Sequence, residues 1–248
     1  MSQFDRTFAR PYLNGFPYTY KMAYMEKTIQ SFKSKTAKPA KSRGPLQNRR
    51  DRYRSELRAE TLSAARELIR EEGYQGLTIR KLAQRMECSP MALYSYFADK
   101  QTLLAALSLE GFERVAKRFD STVHRDPLAA VKKILLDYIA YAEENPNEYR
   151  VLFLSVETLG EVELSREDLQ ERNPAFGPLF KRVQACIKAG VLKGDAFAVS
   201  TVLWTAAHGA ASVLITAQKF PFGTHGLYAE EVVATIVSGV QNRVIERI

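Results

Sequence analysis

Thr78, Ser89, Tyr94, Tyr96 and Lys100 fall within one short stretch, TIRKLAQRMECSPMALYSYFADK. Together they bring two hydroxyls, two phenols and an ammonium group. Hydroxyls at helix N-termini, phenol O–H groups and lysines are the groups that hold phosphate oxygens. Met91, Ala92 and Ser95, interleaved with them, are small or apolar and suit base edges, thymine methyls included. Arg80 and Lys81, on the outer face of the preceding segment, reach toward the flanking backbone. No Arg, Asn or Gln stands on this face for bidentate base reading, so DNA shape must carry part of any specificity. The chemistry on offer is reversible binding of double-stranded DNA.

The local pattern supplies elements that would position these groups. Ile79, Leu82, Ala83 and Met86 form the inner face of a two-turn helix, and Glu87-Cys88 makes a turn. Ser89 is a good N-cap, and Pro90 at the first helical position has the right φ and no donor to waste. Leu93 and Phe97, four apart, pack back against the first helix. The result is a helix-turn-helix whose second helix is sized for the major groove. The bland alternative is a three-helix cluster in which Tyr94 and Tyr96 only cover the core. Upstream, Leu62, Ala65, Leu68 and Ile69 make an apolar stripe, and Gly73 is a natural stop after Glu72.

The run AARELIREEGYQGLTIRKLAQRMECSPMALYSYFADKQTLLAAL resembles the N-terminal domain of TetR-type (TetR/AcrR) transcriptional regulators. Ala65, Gly73-Tyr74, Thr78-Ile79, Leu82-Ala83, Ser89, Leu93-Tyr94, Tyr96-Phe97 and Lys100-Leu103 carry the likeness. It implies that Thr78, Ser89, Met91, Tyr94, Ser95, Tyr96 and Lys100 fall where the family touches DNA. Met91 replaces the family's usual glycine, which works against close backbone approach at that point. The resemblance further implies a homodimer on a palindromic operator, and a small-molecule effector bound in the C-terminal domain.

Composition and charge set the wider frame. The net charge of +8 is uneven: residues 1–50 hold eleven Lys/Arg and two acids, whereas 51–248 are nearly balanced. The sequence predicts a disordered basic tail over 1–50, a helix-turn-helix domain over 51–104 and a ligand-binding and dimerisation domain over 105–248. The tail reads as a source of nonspecific phosphate contacts or as the product of an early start codon, Met22 and Met25 being later ones. Downstream helices are expected at 127–144, 146–157, 174–190, 196–218 and 228–247, giving an all-α protein. Cys88 and Cys186 make no disulfide scaffold, which suits a reducing, cytoplasmic setting.

Residues 196–218 contain no charged side chain, a length that can span a bilayer. Ser200, Thr201, Thr205, His208 and Ser212 argue instead for a buried helix. WTAAHGAASVL resembles the Trp…His-Gly signature of one C-terminal subgroup of the same family. The dimer expectation falls on Val202, Ala206, Gly209 and Val213 in one helix and on Val232, Ile236, Val240 and Val244 in the last. The pocket expectation falls on Tyr138, Tyr141, Tyr149, Phe153, Phe176, Phe180, Trp204 and His208, although aromatics at helical spacing are also ordinary core. No metal, cofactor or enzyme motif stands out, and His124, His208 and His225 are dispersed. The sequence therefore reads as a DNA-binding, ligand-responsive regulator, most simply a repressor. Two alternatives stand beside it: a DNA-binding protein without an effector, and a helical ligand-binding or enzymatic protein with a vestigial head.

Overall fold

A proline at the start of a long stretch free of Gly and Pro sets the first helix. The computed structural model describes residues 45–120, 124–154, 165–171 and 173–246. Helix α1 spans Pro45–Gly76 and breaks at Gly73, where φ is 73° and ψ 179°. Residues 45–50 are thus helical, a correction to the disordered tail expected up to 50. Pro45 at N1 is the start signal that the basic composition masked. Residues 1–44 lie outside the described residues.

Helices α2 (Ile79–Arg85), α3 (Pro90–Tyr94) and α4 (Lys100–Asp120) complete a head with α1. Its core is built from Leu62, Ala65, Leu68 and Ile69 of α1, Leu82 and Ala83 of α2, Leu93, Phe97, and Leu103, Leu104 and Leu107 of α4. Each is under 5% exposed. Burying a Leu or Phe side chain contributes roughly 1.5–3 kcal/mol, so this small core is enough to fix the turn.

Helix α4 belongs to two cores. Its first half serves the head, and its second half, with Phe112, Val115 and Phe119, serves the body. The body comprises α5 (Pro127–Glu144), α6 (Pro146–Tyr149) with a π-helical turn Arg150–Leu154, α7 (Arg166–Glu171), α8 (Phe176–Lys188), α9 (Ala196–Thr216) and α10 (His225–Gln241). Helix α5 packs on α8, α9 and α10. Among the described residues there are no strands, only an isolated bridge between Gly194 and Ile245. The all-α expectation holds.

Boundaries differ where the sequence offered weak stops. The helix expected at 146–157 is a single turn followed by the π-turn, and 155–157 lie outside the described residues. Helix α10 begins at His225 and ends at Gln241, not at 247. The chain beyond it returns to the start of α9, where the Asp195 N–H donates to the Ile245 carbonyl at 2.7 Å. Helix α9 is long and apolar enough to cross a membrane, yet half of it is buried inside this fold.

The head and body meet through α4 and α6. Asn147 Nδ2 donates to the Arg70 carbonyl at 3.1 Å, tying α6 to α1. Arg66 pairs with Glu110, and Arg114 with Glu148. At Gly111 a Cβ would lie 2.8 Å from a Leu152 methyl, so a larger residue there would have to push the Leu152 side chain aside for α4 to nest this closely on the π-turn. A cleft of 380 Å³ opens at this junction, lined by Arg66, Glu67, Arg70, Arg114, Glu144 and Glu148 among others.

Candidate nucleic-acid interface and effector site

The local sequence folds the recognition unit through two caps. Thr78 Oγ1 accepts from the Lys81 N–H at 3.1 Å, and Ser89 Oγ accepts from the Ala92 N–H at 3.2 Å. Each oxygen is used as a cap, which leaves the hydroxyl hydrogen to donate to a phosphate. The intervening turn forces Glu87 into the left-handed region at φ 51°. Leu93 and Phe97 are 1% exposed and hold α3 against α2.

That packing turns the other face of α3 to solvent. Met91 is 76% exposed and Tyr94 48% exposed, unusual for such large side chains. Ser95 is exposed on the same element, with Oγ donating to the Ala92 carbonyl at 2.6 Å. Arg80 is exposed on α2. Lys81 is committed to Glu72, and Arg85 to Glu71 at 2.7 Å. Lys100 is half-buried, with Nζ 4.6 Å above the Tyr74 ring.

Three of the nine expected DNA-contact residues, Ala92, Tyr96 and Lys100, are half-buried rather than exposed. Ala92 and Tyr96 are half-buried and line a 240 Å³ cavity behind α3, together with Leu57, Met86 and Cys88. Ala92 sits beside the buried Leu93 on α3, and Tyr96 lies in the turn that closes the helix, where its N–H donates to the Leu93 carbonyl at 2.9 Å. Arg54, which no motif singles out, reaches this region: its Nη2 donates to the Ser95 carbonyl at 3.2 Å. Its guanidinium stands 5.9 Å from the Tyr96 ring centre. The signal for it in the sequence is the run of arginines ahead of the first apolar stripe.

In the body, five of the eight pocket candidates converge. The Tyr138 and Tyr149 hydroxyls are 3.1 Å apart, and they lie 2.9 and 2.7 Å from His208 Nδ1. Phe153 packs on Tyr149 at 4.6 Å, and Trp204 stacks on His208 at 5.4 Å. Burial pushes the His208 pKa down to about 4, so the ring is neutral at pH 7. The same effect pushes the Tyr149 phenol well above its ordinary range. One arrangement gives each phenol hydrogen its own acceptor. Tyr138 donates to the Tyr149 oxygen, Tyr149 donates to Nδ1, and the ring proton rests on Nε2.

The other three candidates stand apart. Tyr141 is buried on another face of α5, near Glu148, Arg114 and Arg118, where desolvation and then Glu148 raise its pKa. Phe176 and Phe180 form a separate cluster with Leu169, which Trp204 touches from the side. The aromatic centre is filled by its own rings, and the two cavities described above lie elsewhere. Among the described residues no group of His, Cys, Asp or Glu is placed to hold a metal.

The dimer candidates also divide. On α9, Gly209 and Val213 are exposed while Val202 and Ala206 are half-buried. On α10 the expected stripe is split as well: Val240 is 2% exposed, while Val232 and Ile236 are half-buried at the edge of the body's core. Val244 lies beyond the helix. The exposed side of α10 instead carries Leu227, Ala234, Thr235, Ser238 and Gly239.

Comparison with known proteins agrees with this two-part build. Residues 62–107 match the family described as bacterial regulatory proteins, tetR family, and residues 131–237 match the tetracyclin repressor-like C-terminal domain. The chain is 28% identical over 126 residues to the HTH-type transcriptional regulator UidR of Escherichia coli K12, covering 50% of this chain and 57% of UidR. It is 33% identical over 100 residues to the HTH-type transcriptional repressor AcnR of Corynebacterium efficiens, covering 40% and 47%. The chain thus spans about half the length of these curated relatives. A TetR transcription regulator structure from Haloarcula marismortui superposes with a TM-score of 0.59 at 23% identity, over 75% of this chain and 98% of that one.

Proposed function

Since the chain carries both the N-terminal and the C-terminal domain of the tetR family, we propose that it is a sequence-specific DNA-binding transcriptional regulator, acting as a repressor. The observation that carries this reading is the recognition face. Two capped helix starts hold α3 so that Met91, Tyr94 and Ser95 face outward while Leu93 and Phe97 anchor it from behind. A body-only function would leave that exposed apolar surface without a purpose. The repressor sense draws on the name of AcnR, with which the match covers under half of either chain.

The protein acts as a cytoplasmic homodimer, with a head before residue 105 and a body after it. The exposed faces of α9 and α10 form the seam. A two-fold dimer presents two recognition helices, which suits a palindromic operator with half-sites roughly 34–36 Å apart, or a multiple of that. The Trp204, His208, Gly209 run supports assigning the body to the Trp…His-Gly subgroup. An effector enters by prising open the Tyr138–Tyr149–His208 centre. The neutral histidine and two phenols there favour an uncharged molecule with hydrogen-bonding groups. Movement passes to the head through α4, whose two halves serve the two cores. The effector shifts DNA affinity only by its difference in affinity for the two conformers.

Trp204 supplies the test for an effector. It is the chain's one tryptophan and lies against His208. A small neutral aromatic library screened by its fluorescence should yield a compound that also releases DNA. Compounds that change fluorescence without altering DNA affinity would favour an effector-independent regulator. Tight ligand binding with no DNA sequence bound at all would favour a vestigial head.

A further inference from the structure

The head's cations are mostly engaged: Arg66 by Glu110, Lys81 by Glu72 and Arg85 by Glu71. The start of α1 differs. Residues 45–58 contain Arg49, Arg50, Arg52, Arg54 and Arg58 against Asp51 and Glu56. Arg49 and every residue from Arg52 to Glu56 are exposed, and from Arg52 onward the first buried side chain is Thr61. Helix α1 therefore overhangs the head. At a rise of 1.5 Å per residue, the part up to Glu56 reaches about 18 Å past the core.

The overhang is held at the recognition helix. Arg54 bonds the carbonyl of Ser95, the residue that ends α3, and Arg58 lies 5.3 Å from the Phe97 ring centre. Arg49 and Arg52 occupy one flank of the helix and Arg54 and Arg58 the other, by the 100° step per residue. An exposed helix without a buried apolar stripe gains little from packing. Its arginines match a phosphate backbone, and the element is continuous with the surface that carries Tyr94.

We propose that the N-terminal extension of α1, residues 45–58, is a second DNA-binding element that holds phosphates flanking the groove entered by α3. The proposal rests on the DNA-binding reading above. It assigns Arg49 and Arg52 to phosphate contact. Arg54 has two roles, fixing the end of α3 and adding charge beside it.

The test is the salt dependence of binding to a ~30-bp duplex of random sequence, followed by fluorescence anisotropy on the full chain. Variant R49Q/R52Q/R54Q is compared with wild type, and K188Q/K193Q, two exposed lysines of the body, is the charge-matched control for R49Q/R52Q. The slope of log affinity against log salt should flatten by about 0.9 for every phosphate that the variant no longer neutralises, hence by at least ~2 for a dimer. Low-salt affinity should fall about a hundredfold, what a slope change of ~2 implies over a tenfold range of salt. The control should run parallel to wild type. R49Q/R52Q, which keeps the Arg54 bond to Ser95, should move the slope in the same direction. If both arginine variants match wild type, the extension does not touch DNA and the proposal fails while the DNA-binding reading stands. If the control flattens equally, net charge is the cause and the proposal fails. If wild-type protein binds no duplex, the DNA-binding reading itself falls and takes the proposal with it.

Discussion

The Tyr149 hydroxyl lies 2.7 Å from Nδ1 of His208, whose ring is stacked under Trp204. The lone tryptophan is thus a reporter of the histidine's charge. An imidazolium quenches indole emission where a neutral ring does not. Emission should fall as pH drops through about 4, the value to which burial pushes His208, and not near 6.5. His208→Gln should abolish the step. A midpoint near 6.5 would mean that the ring is solvated and the aromatic centre is open.

The same shift links to stability. His208 has a folded-state pKa of about 4 against an ordinary 6.5. Its neutral burial therefore stabilises the fold fully above pH 6.5, and that contribution is lost as pH falls from 6.5 toward 4. Discounted for partial exposure of the ring, the loss is roughly 1–3 kcal/mol. Urea unfolding of wild type and His208→Gln at pH 7 and pH 4.5 should show wild type losing stability relative to the variant. Equal pH dependence in both would contradict it.

Tyr94 tests the recognition face. Tyr94→Phe keeps the ring and removes the phenol hydrogen. DNA affinity should fall roughly tenfold, the scale of a hydrogen bond to a charged oxygen, with no change in melting temperature. Ser89→Ala should do both, destabilising the head by about 1 kcal/mol because the Ala92 N–H loses its cap. Unchanged affinity in Tyr94→Phe would mean that this hydroxyl does not touch DNA.

The dimer seam makes a separable prediction. Val213→Glu places a charge on the exposed face of α9 and should give monomers in sedimentation at micromolar concentration, with helicity intact. Val240→Glu, in the buried stripe of α10, should instead unfold the body. Monomers from neither variant, or from Val240→Glu alone, would move the interface elsewhere.

Much of the head was legible in sequence, because Ser89, Pro90, Leu93 and Phe97 act within eight residues of one another and obey local rules. The overhang of α1 was not, because arginine-rich composition outweighed Pro45 as a start signal. In α10, Val232, Ile236 and Val240 form a true apolar stripe, but a stripe does not say whether its own body or a second chain buries it. Here Val240 joins Ala229, Val233 and Val237 in the body's own core, while Val232 and Ile236 stay half-buried at its edge. The residue types of Tyr138, Tyr149 and His208 mark them as pocket candidates in sequence, yet their three-way contact depends on α5, α6 and α9 converging. Tyr141 shows the same limit, since three residues along α5 separate it from Tyr138 and the local geometry sends it toward Glu148.

The central claim is sequence-specific DNA binding by the head. The most direct measurement is fluorescence anisotropy of the full chain with the duplex immediately upstream of its own gene, against a scrambled duplex, at two salt concentrations. The account predicts tight, salt-sensitive binding that prefers the native sequence by a factor on the order of 10³ or more. Equal, weak binding to both duplexes, persisting across DNA selected from a random library, would contradict it.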